Sequence, residues 1–167
     1  MVERLTSALE TIGLKLHRTV IITFLPGMAV LITLDVIMRY VFDSPFIWGT
    51  EANGLMLLIV FFGCLTHCWT AKRHIRMELI YGKFKGKLRI LADIVASLTG
   101  LLFFGMVAVQ AFREIPHMIK INETGETFLI PLWPFKLYMG LCSLLFSLLL
   151  LVSSLNLFFK MISKGDE

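Results

Sequence analysis

Charged residues are scarce in this chain, and their scarcity excludes an ordinary soluble fold. They make up 17% of the 167 residues, whereas a soluble domain carries about 25%. Hydrophobic residues account for 57%, and the mean hydropathy is +0.80. So few polar side chains cannot cover a water-exposed surface, and lipid is predicted to be the main solvent. We interpret residues 1–167 as a single membrane domain.

The chain also lacks the residue patterns of an enzyme. It has no nucleophile motif, phosphate-binding loop or pair of catalytic carboxylates, and its three cysteines do not form a disulfide framework. A bundle that holds haem between two histidines needs two buried ones, and of four histidines only His67 lies inside an apolar segment. Cys64, His67 and Cys68 share a helical face that could bind a metal, but packing against a neighbouring helix is favoured. No cofactor is expected in this chain.

Four long apolar segments are present, each long enough to cross a membrane. The predicted spans are about 19–42, 52–71, 88–112 and 135–162. The first covers roughly 36 Å as a helix, more than the ~30 Å of a hydrocarbon core. Before it, apolar residues recur at helical spacing over 2–17, which predicts a short amphipathic helix on the membrane surface. The predicted fold class is an all-α integral membrane protein with four transmembrane helices.

Lysine and arginine are divided unevenly between the two predicted sides of the membrane. The side with both termini and the 72–89 loop carries twelve of the sixteen. The other side carries Arg39, Arg113, Lys120 and Lys136. The positive-inside rule therefore predicts that both termini are cytoplasmic. Topology and anionic lipid headgroups explain the net charge of +4, so no nucleic-acid partner is expected and membrane lipids are.

A polar cluster is predicted where the first span ends and the second begins. Asp35 and Arg39 are four residues apart, so one helical turn brings them together. Glu51 and Lys136 are predicted at the same membrane boundary. The planar guanidinium of Arg39 can serve two carboxylates, and we predict that Asp35, Glu51 or both hold it. The cluster is interpreted as structural, without a role in carrying protons or substrate.

Other residues at the predicted membrane edges are candidate anchors or subunit contacts. Small residues Ala92, Ala96 and Gly100 lie four apart and predict a close helix-packing face. Arg89 and Asp93 repeat the spacing of the first pair, and aromatic residues are common where helices leave lipid. The candidates outside the polar cluster are Tyr40, Trp48, His74, Arg89, Asp93 and Trp133.

Four stretches, taken in order, resemble one protein family. They are DVIMRYVF, PFIW followed by Glu51, AKRHIRMEL after the second span, and ETGETFLIPLW before the fourth. Together they resemble the small membrane subunit, of the DctQ type, of tripartite ATP-independent periplasmic (TRAP) transporters. The resemblance covers nearly the whole chain, and the matching positions are Asp35, Arg39, Tyr40, Pro45, Trp48, Glu51, His74, Pro131 and Trp133.

The resemblance implies a division of labour in the bacterial inner membrane. A periplasmic substrate-binding protein captures an organic acid anion, and a large membrane subunit moves it inward with sodium. The small subunit packs against the large one as a scaffold and is not an enzyme. Because the sequence stops at Glu167, the large subunit is expected to be a separate chain that binds the sodium. The identity of the organic acid stays open.

Two alternatives to the scaffold subunit stay open at this point. One is a four-helix haem or quinone subunit, against which the scarcity of buried histidines counts. The other is a small self-assembling channel, which needs polar residues along a pore. No charged residue falls clearly at mid-membrane depth, and that counts against a pore formed by this chain alone.

Overall fold

Helices account for nearly all of the part of the chain that the computed structural model describes. Backbone is described for residues 2–70, 87–127 and 129–163, and side chains for 7–69, 94–127 and 129–155. The described residues form four helices, which are α1 (Val2–Val41), α2 (Gly49–Thr70), α3 (Lys87–Ile121) and α4 (Trp133–Ser163). Each contains a stretch long and apolar enough to cross a membrane. The prediction of an all-α protein with four membrane-spanning helices is confirmed.

The helices form two hairpins that meet through α4. α1 packs along α2, and α3 packs along α4. Among the described residues, α4 also contacts α2 and, over a short stretch, α1. In the apolar stretch of α4, 39% of the residues are buried, whereas in that of α1 only 6% are buried. α4 is therefore the central helix, and α1 presents most of its surface to the surroundings of the bundle.

α1 is one helix of 40 residues and not a surface helix followed by a span. At ~1.5 Å per residue it is roughly 60 Å long, about twice the hydrocarbon thickness. Leu9, Gly13 and Val20 lie buried on one side of it, so the predicted amphipathic stretch continues the packing face of the span. At Gly13 an added Cβ would come within 2.9 Å of Thr66 Cβ, which shows how closely α1 approaches α2. Residues 2–17 are thus helical, and no break in the helix separates them from the predicted first span.

A glycine in α2 lets three helices meet. Tyr138 of α4 donates a hydrogen bond of 3.1 Å to the carbonyl oxygen of Ile59 in α2. A Cβ at Gly63 would lie 2.6 Å from the Tyr138 hydroxyl and 2.8 Å from Val20 Cγ2 of α1. The missing side chain makes room for both neighbours. In lipid, where water does not compete, the Tyr138 hydroxyl is satisfied by a carbonyl of another helix.

Aromatic packing fills the core between α2, α3 and α4. Leu65, Phe146 and Leu150 are buried together. The ring of Phe146 meets Phe104 edge-on at 4.8 Å and Trp69 at 6.1 Å, at interplanar angles of 90° and 80°. Edge-to-face pairs at such distances are favourable beyond the apolar area that they bury. They join one helix from each hairpin to α4.

α3 is longer than the third predicted span. The helix continues to Ile121, through residues that the sequence analysis assigned to a loop. Apolar residues at three- and four-residue spacing extend the helix past its charged residues. Of the predicted stripe of small residues, Gly100 packs on α4, where an added Cβ would lie 3.0 Å from Leu150 Cδ1. Ala96 is exposed, and the side chain of Ala92 lies outside the described residues.

We expect Gly63→Ala to destabilise the isolated chain. An added methyl group would overlap Val20 and Tyr138, and overpacking of this kind costs typically 1–3 kcal/mol. Gly54→Ala on the same helix is the matched control, because a Cβ there meets nothing within 4 Å. The control should be neutral or slightly more stable, since alanine favours helix. Thermal unfolding of the purified chains in detergent, followed by circular dichroism, measures both, and equal stabilities would contradict the three-helix junction.

Candidate functional site

The two loops that join the helices of each hairpin lie together at one end of the bundle. They are residues 42–48, between α1 and α2, and residues 122–132, between α3 and α4. We call this region the loop end. Most of the charged and aromatic residues that the sequence analysis singled out lie in it or within about two helical turns of it.

α1 ends through a residue in the left-handed conformation. Asp43 has a φ of 53°, and the amide of Ser44 donates a 3.1 Å hydrogen bond back to the carbonyl of Met38. Aspartate tolerates this conformation better than most residues because its short side chain can bond locally. Pro45 follows and cannot continue a helix. The chain therefore turns sharply and runs back across the end of α1.

Asp35 is the residue that holds this turn in place. Its Oδ2 accepts a hydrogen bond of 2.8 Å from Nη2 of Arg39, and its Oδ1 accepts one of 2.9 Å from the amide of Phe46. The Asp35 side chain is 15% exposed and that of Arg39 is 50% exposed. Gly49 is buried beside the carboxylate, where an added Cβ would lie 3.6 Å from Oδ1. One carboxylate thus joins α1, its neighbouring cation and the loop that leads to α2.

Aromatic residues cover the start of α2. The rings of Phe46 and Trp48 stack with centroids 5.2 Å apart and an interplanar angle of 29°. Backbone amides of Gly49 and Ala52 bond to the carbonyls of Phe46 and Trp48, which begins the helix. Trp48 therefore belongs to the packed loop end. Tyr40, in contrast, is 81% exposed.

Glu51 connects the first hairpin to the second. Its Oε2 accepts a 3.0 Å hydrogen bond from the amide of Thr127, which lies in the other loop. Gly125 packs directly on the carboxylate, so that a side chain at this position would overlap Glu51. Only glycine leaves enough space for the loop backbone to approach the Glu51 carboxylate this closely. Glu51 thus holds the 122–132 loop through a backbone amide, a contact that sequence analysis did not anticipate.

The 122–132 loop is closed by its own backbone hydrogen bonds. Asn122, with a φ of 51°, ends α3. The amide of Gly125 donates to Ile130 and that of Leu132 donates to Glu123, at 3.1 and 3.2 Å. These bonds flank the isolated bridge between residues 124 and 131. The loop therefore offers Glu51 an amide in a defined position.

Lys136 lies on α4 and forms an ion pair with Glu114 of α3. Glu114 also accepts a 2.7 Å hydrogen bond from the amide nitrogen of Gln110. The predicted third span ended at residue 112, before Glu114, but α3 extends past it. Lys136 therefore links the two helices of the second hairpin, whereas the ion pair of Arg39 is with Asp35.

Among the described residues, no contact connects the remaining predicted candidates to Asp35, Arg39 or Glu51. Trp133 is the first residue of α4 and is 38% exposed. Arg89 and Asp93 lie in the first turns of α3, and their side chains are outside the described residues. His74 is also outside the described residues.

A pair of histidines near the other end of the bundle was missed by the sequence analysis. The rings of His17 in α1 and His67 in α2 lie with centroids 4.2 Å apart. Sequence analysis placed His17 before the first span, although the apolar stretch of α1 begins at Ser7. Rings in direct contact leave no space for a porphyrin between them, so the pair does not suit haem. Within the described residues, no three side chains of His, Cys, Asp or Glu are grouped as metal ligands.

We expect Glu51→Ala to loosen the join between the hairpins. The Thr127 amide would lose a charged acceptor, and the net value of such a bond near water is about 1 kcal/mol. Hydrogen exchange in the 122–132 loop should therefore become roughly fivefold faster. Glu126→Ala, at an exposed position in the same loop, is the control and should change exchange little. Mass-spectrometric exchange on the purified chain measures both, and unchanged exchange in Glu51→Ala would contradict the contact.

Comparison with known proteins agrees with this architecture. A family model described as "Tripartite ATP-independent periplasmic transporters, DctQ component" matches residues 28–160, which include all of α2 and α3, most of α4 and the C-terminal third of α1. No curated protein and no solved structure matches the chain. The family is a transporter component of the inner membrane and not an enzyme. The chain therefore belongs to the DctQ family, the small membrane subunit of tripartite ATP-independent periplasmic transporters.

Proposed function

We propose that this small TRAP subunit is a scaffold for sodium-coupled import of an organic acid anion. In this proposal a separate large membrane subunit carries the anion and binds the sodium. A periplasmic substrate-binding protein delivers the anion to it. The present chain packs against the large subunit, positions it in the inner membrane and carries neither the ion nor the substrate.

The observation that carries the proposal is the use of carboxylates at the loop end. Both oxygens of Asp35 accept hydrogen bonds, one from Arg39 and one from a backbone amide. Glu51 accepts a backbone amide from the other hairpin. A carboxylate on an ion path has to exchange its partners as the ion passes. These two instead hold backbone in place, which suits a structural role.

The outer surface of the bundle supports a packing role as well. The apolar stretch of α1 is 6% buried within the chain, and large side chains such as Ile22, Val30 and Val41 are more than half exposed. Such a surface must be covered by lipid or by another membrane protein. A long helix with one face on α2 and a broad free face gives a large subunit an extended surface to pack against.

The charge distribution supports one orientation of the chain in the membrane. Twelve of the sixteen lysine and arginine residues lie on the side of the termini and the 72–89 loop. With that side in the cytoplasm, the loop end faces the periplasm. It is then the part of the chain nearest to an arriving binding protein.

Cysteine labelling in intact cells tests the orientation. In a chain without its native cysteines, a cysteine at Asn122 should react with a membrane-impermeant reagent. A cysteine at Lys85 should react only after the cells are opened. The reverse pattern would refute the proposed orientation, and labelling of both positions in opened cells is the control for reactivity.

Replacement of Arg39 tests the scaffold role. Arg39→Ala removes the cation beside Asp35, a loss of roughly 1–3 kcal/mol when the carboxylate stays poorly solvated. We expect a lower yield of the complex with the large subunit, with uptake per assembled complex largely kept. Sodium-driven uptake in proteoliposomes with matched amounts of complex measures this.

Arg113→Ala is the matched control, because Arg113 is an exposed arginine of α3 near the same end. It should change the yield of the complex less than Arg39→Ala does. If Arg39→Ala left assembly intact but abolished uptake, the scaffold role of this residue would be wrong and a direct role in transport would be required.

A further inference from the structure

An apolar groove opens on the bundle surface between α2 and α3. It has a volume of about 560 Å³. Phenylalanines from both helices line it, and Met139 of α4 also belongs to the lining. Phe61 and Phe103 at the rim are 55% and 57% exposed, so the groove is open on the side that faces lipid. α4 packs against both neighbouring helices and closes the groove from within.

The groove is lined almost wholly by apolar atoms, and an ion pair lies beside the end that faces the loop end. Gln110 and Lys136 contribute to the lining at this end. Lys136 is three residues into α4 from Trp133, at the depth where aromatic belts mark the membrane interface. Glu114 is one helical turn beyond Gln110 and forms the ion pair with Lys136, so both signs of charge stand next to the mouth. The groove thus has an apolar body with a pair of opposite charges beside its mouth.

The dimensions of the groove suit acyl chains. From Gln110 to Phe103 the walls extend over seven residues of α3, or roughly 10 Å. An acyl chain roughly 4–5 Å wide, as carbon contact distances near 4 Å require, fills on the order of 150 Å³ over this length. A helix of 10–12 Å diameter fills roughly 800–1,100 Å³ over the same length. The groove therefore has space for the two chains of a lipid, and it cannot enclose a whole helix.

We propose that this groove is a binding site for a zwitterionic phospholipid of the phosphatidylethanolamine type. Its acyl chains lie between the phenylalanines, and its phosphate bonds to the Lys136 ammonium. Glu114 faces the ammonium of the headgroup. The site is independent of the proposed transport role, because it rests on groove shape and charge alone.

The ion pair at the mouth explains the choice of headgroup. An ammonium has three donors, so Lys136 can bond a phosphate oxygen while it keeps Glu114. A carboxylate offers about four acceptor sites. The described contacts of Glu114 with Gln110 and Lys136 leave acceptor sites for the ammonium of a headgroup. A headgroup with both signs complements this pair. A headgroup with a net negative charge would place its charge beside the Glu114 carboxylate without a compensating ammonium.

Native mass spectrometry of the purified chain, titrated with dioleoyl phosphatidylethanolamine, tests the site. We expect Lys136→Met to bind this lipid roughly fivefold more weakly than the wild type, through loss of one partly exposed charge contact. Val107→Trp should bind it at least as poorly, because Val107 lines the groove and the larger side chain fills it. Lys120→Met and Val109→Trp are the matched controls, since both residues are exposed on α3 away from the groove lining, and they should bind as the wild type does.

Several results would overturn the proposal. Equal binding of dioleoylglycerol, which lacks the phosphate and ethanolamine, would refute the role of the headgroup. Equal binding of dioleoyl phosphatidylglycerol would refute the preference for a zwitterion. Unchanged binding in Val107→Trp would place the lipid elsewhere. A cysteine at position 107 that crosslinks to the large subunit in the assembled complex, with no lipid retained, would assign the groove to a protein contact.

Discussion

Where a helix ends at the edge of a bilayer, its backbone amides have no helical acceptor and are not yet in bulk water. The rest of this structure depends on how these amides find other acceptors. Within the lipid, helical hydrogen bonds satisfy the backbone. At the loop end, side-chain carboxylates accept the amides left over. Asp35 accepts the amide of Phe46, and Glu51 accepts that of Thr127. Charges that would be costly in lipid are thus used where they replace missing backbone partners.

This arrangement connects the two hairpins at two depths. Near the membrane edge, Glu51 reaches the loop of the second hairpin, and Gly125 provides the space for its carboxylate. Deeper in the bundle, Gly63 allows Tyr138 to reach a carbonyl of α2. Both joins combine a polar side chain, a backbone group and a glycine. Because lipid gives apolar helices little reason to associate, close approach and hydrogen bonding supply the specificity.

The same physics separates the surfaces of the subunit by role. α4 is central and contacts helices of both hairpins, whereas α1 is largely uncovered. The uncovered helix suits a membrane partner, and the loop end suits an aqueous one. Between α2 and α3 the bundle leaves a groove with the Lys136–Glu114 pair at its mouth. The described part of the subunit thus has three chemically distinct surfaces: an apolar helix that is largely uncovered, a polar loop end, and an apolar groove beside an ion pair.

Length, hydropathy and charge were sufficient to predict four membrane helices, because lipid permits few alternatives to the helix. The family was predicted from the resemblance of four sequence stretches in their order along the chain. The pairing of Asp35 with Arg39 also followed from sequence, since their spacing of four residues is a local property. The partners of Glu51 and Lys136 could not be predicted from the sequence, because they lie 76 and 22 residues away. These contacts depend on how the helices pack in the folded chain. The continuous α1 and the contact of His17 with His67 were missed for a related reason. Burial of a moderately polar helical stretch is decided by the neighbouring helix, and only the tertiary structure shows where that helix lies.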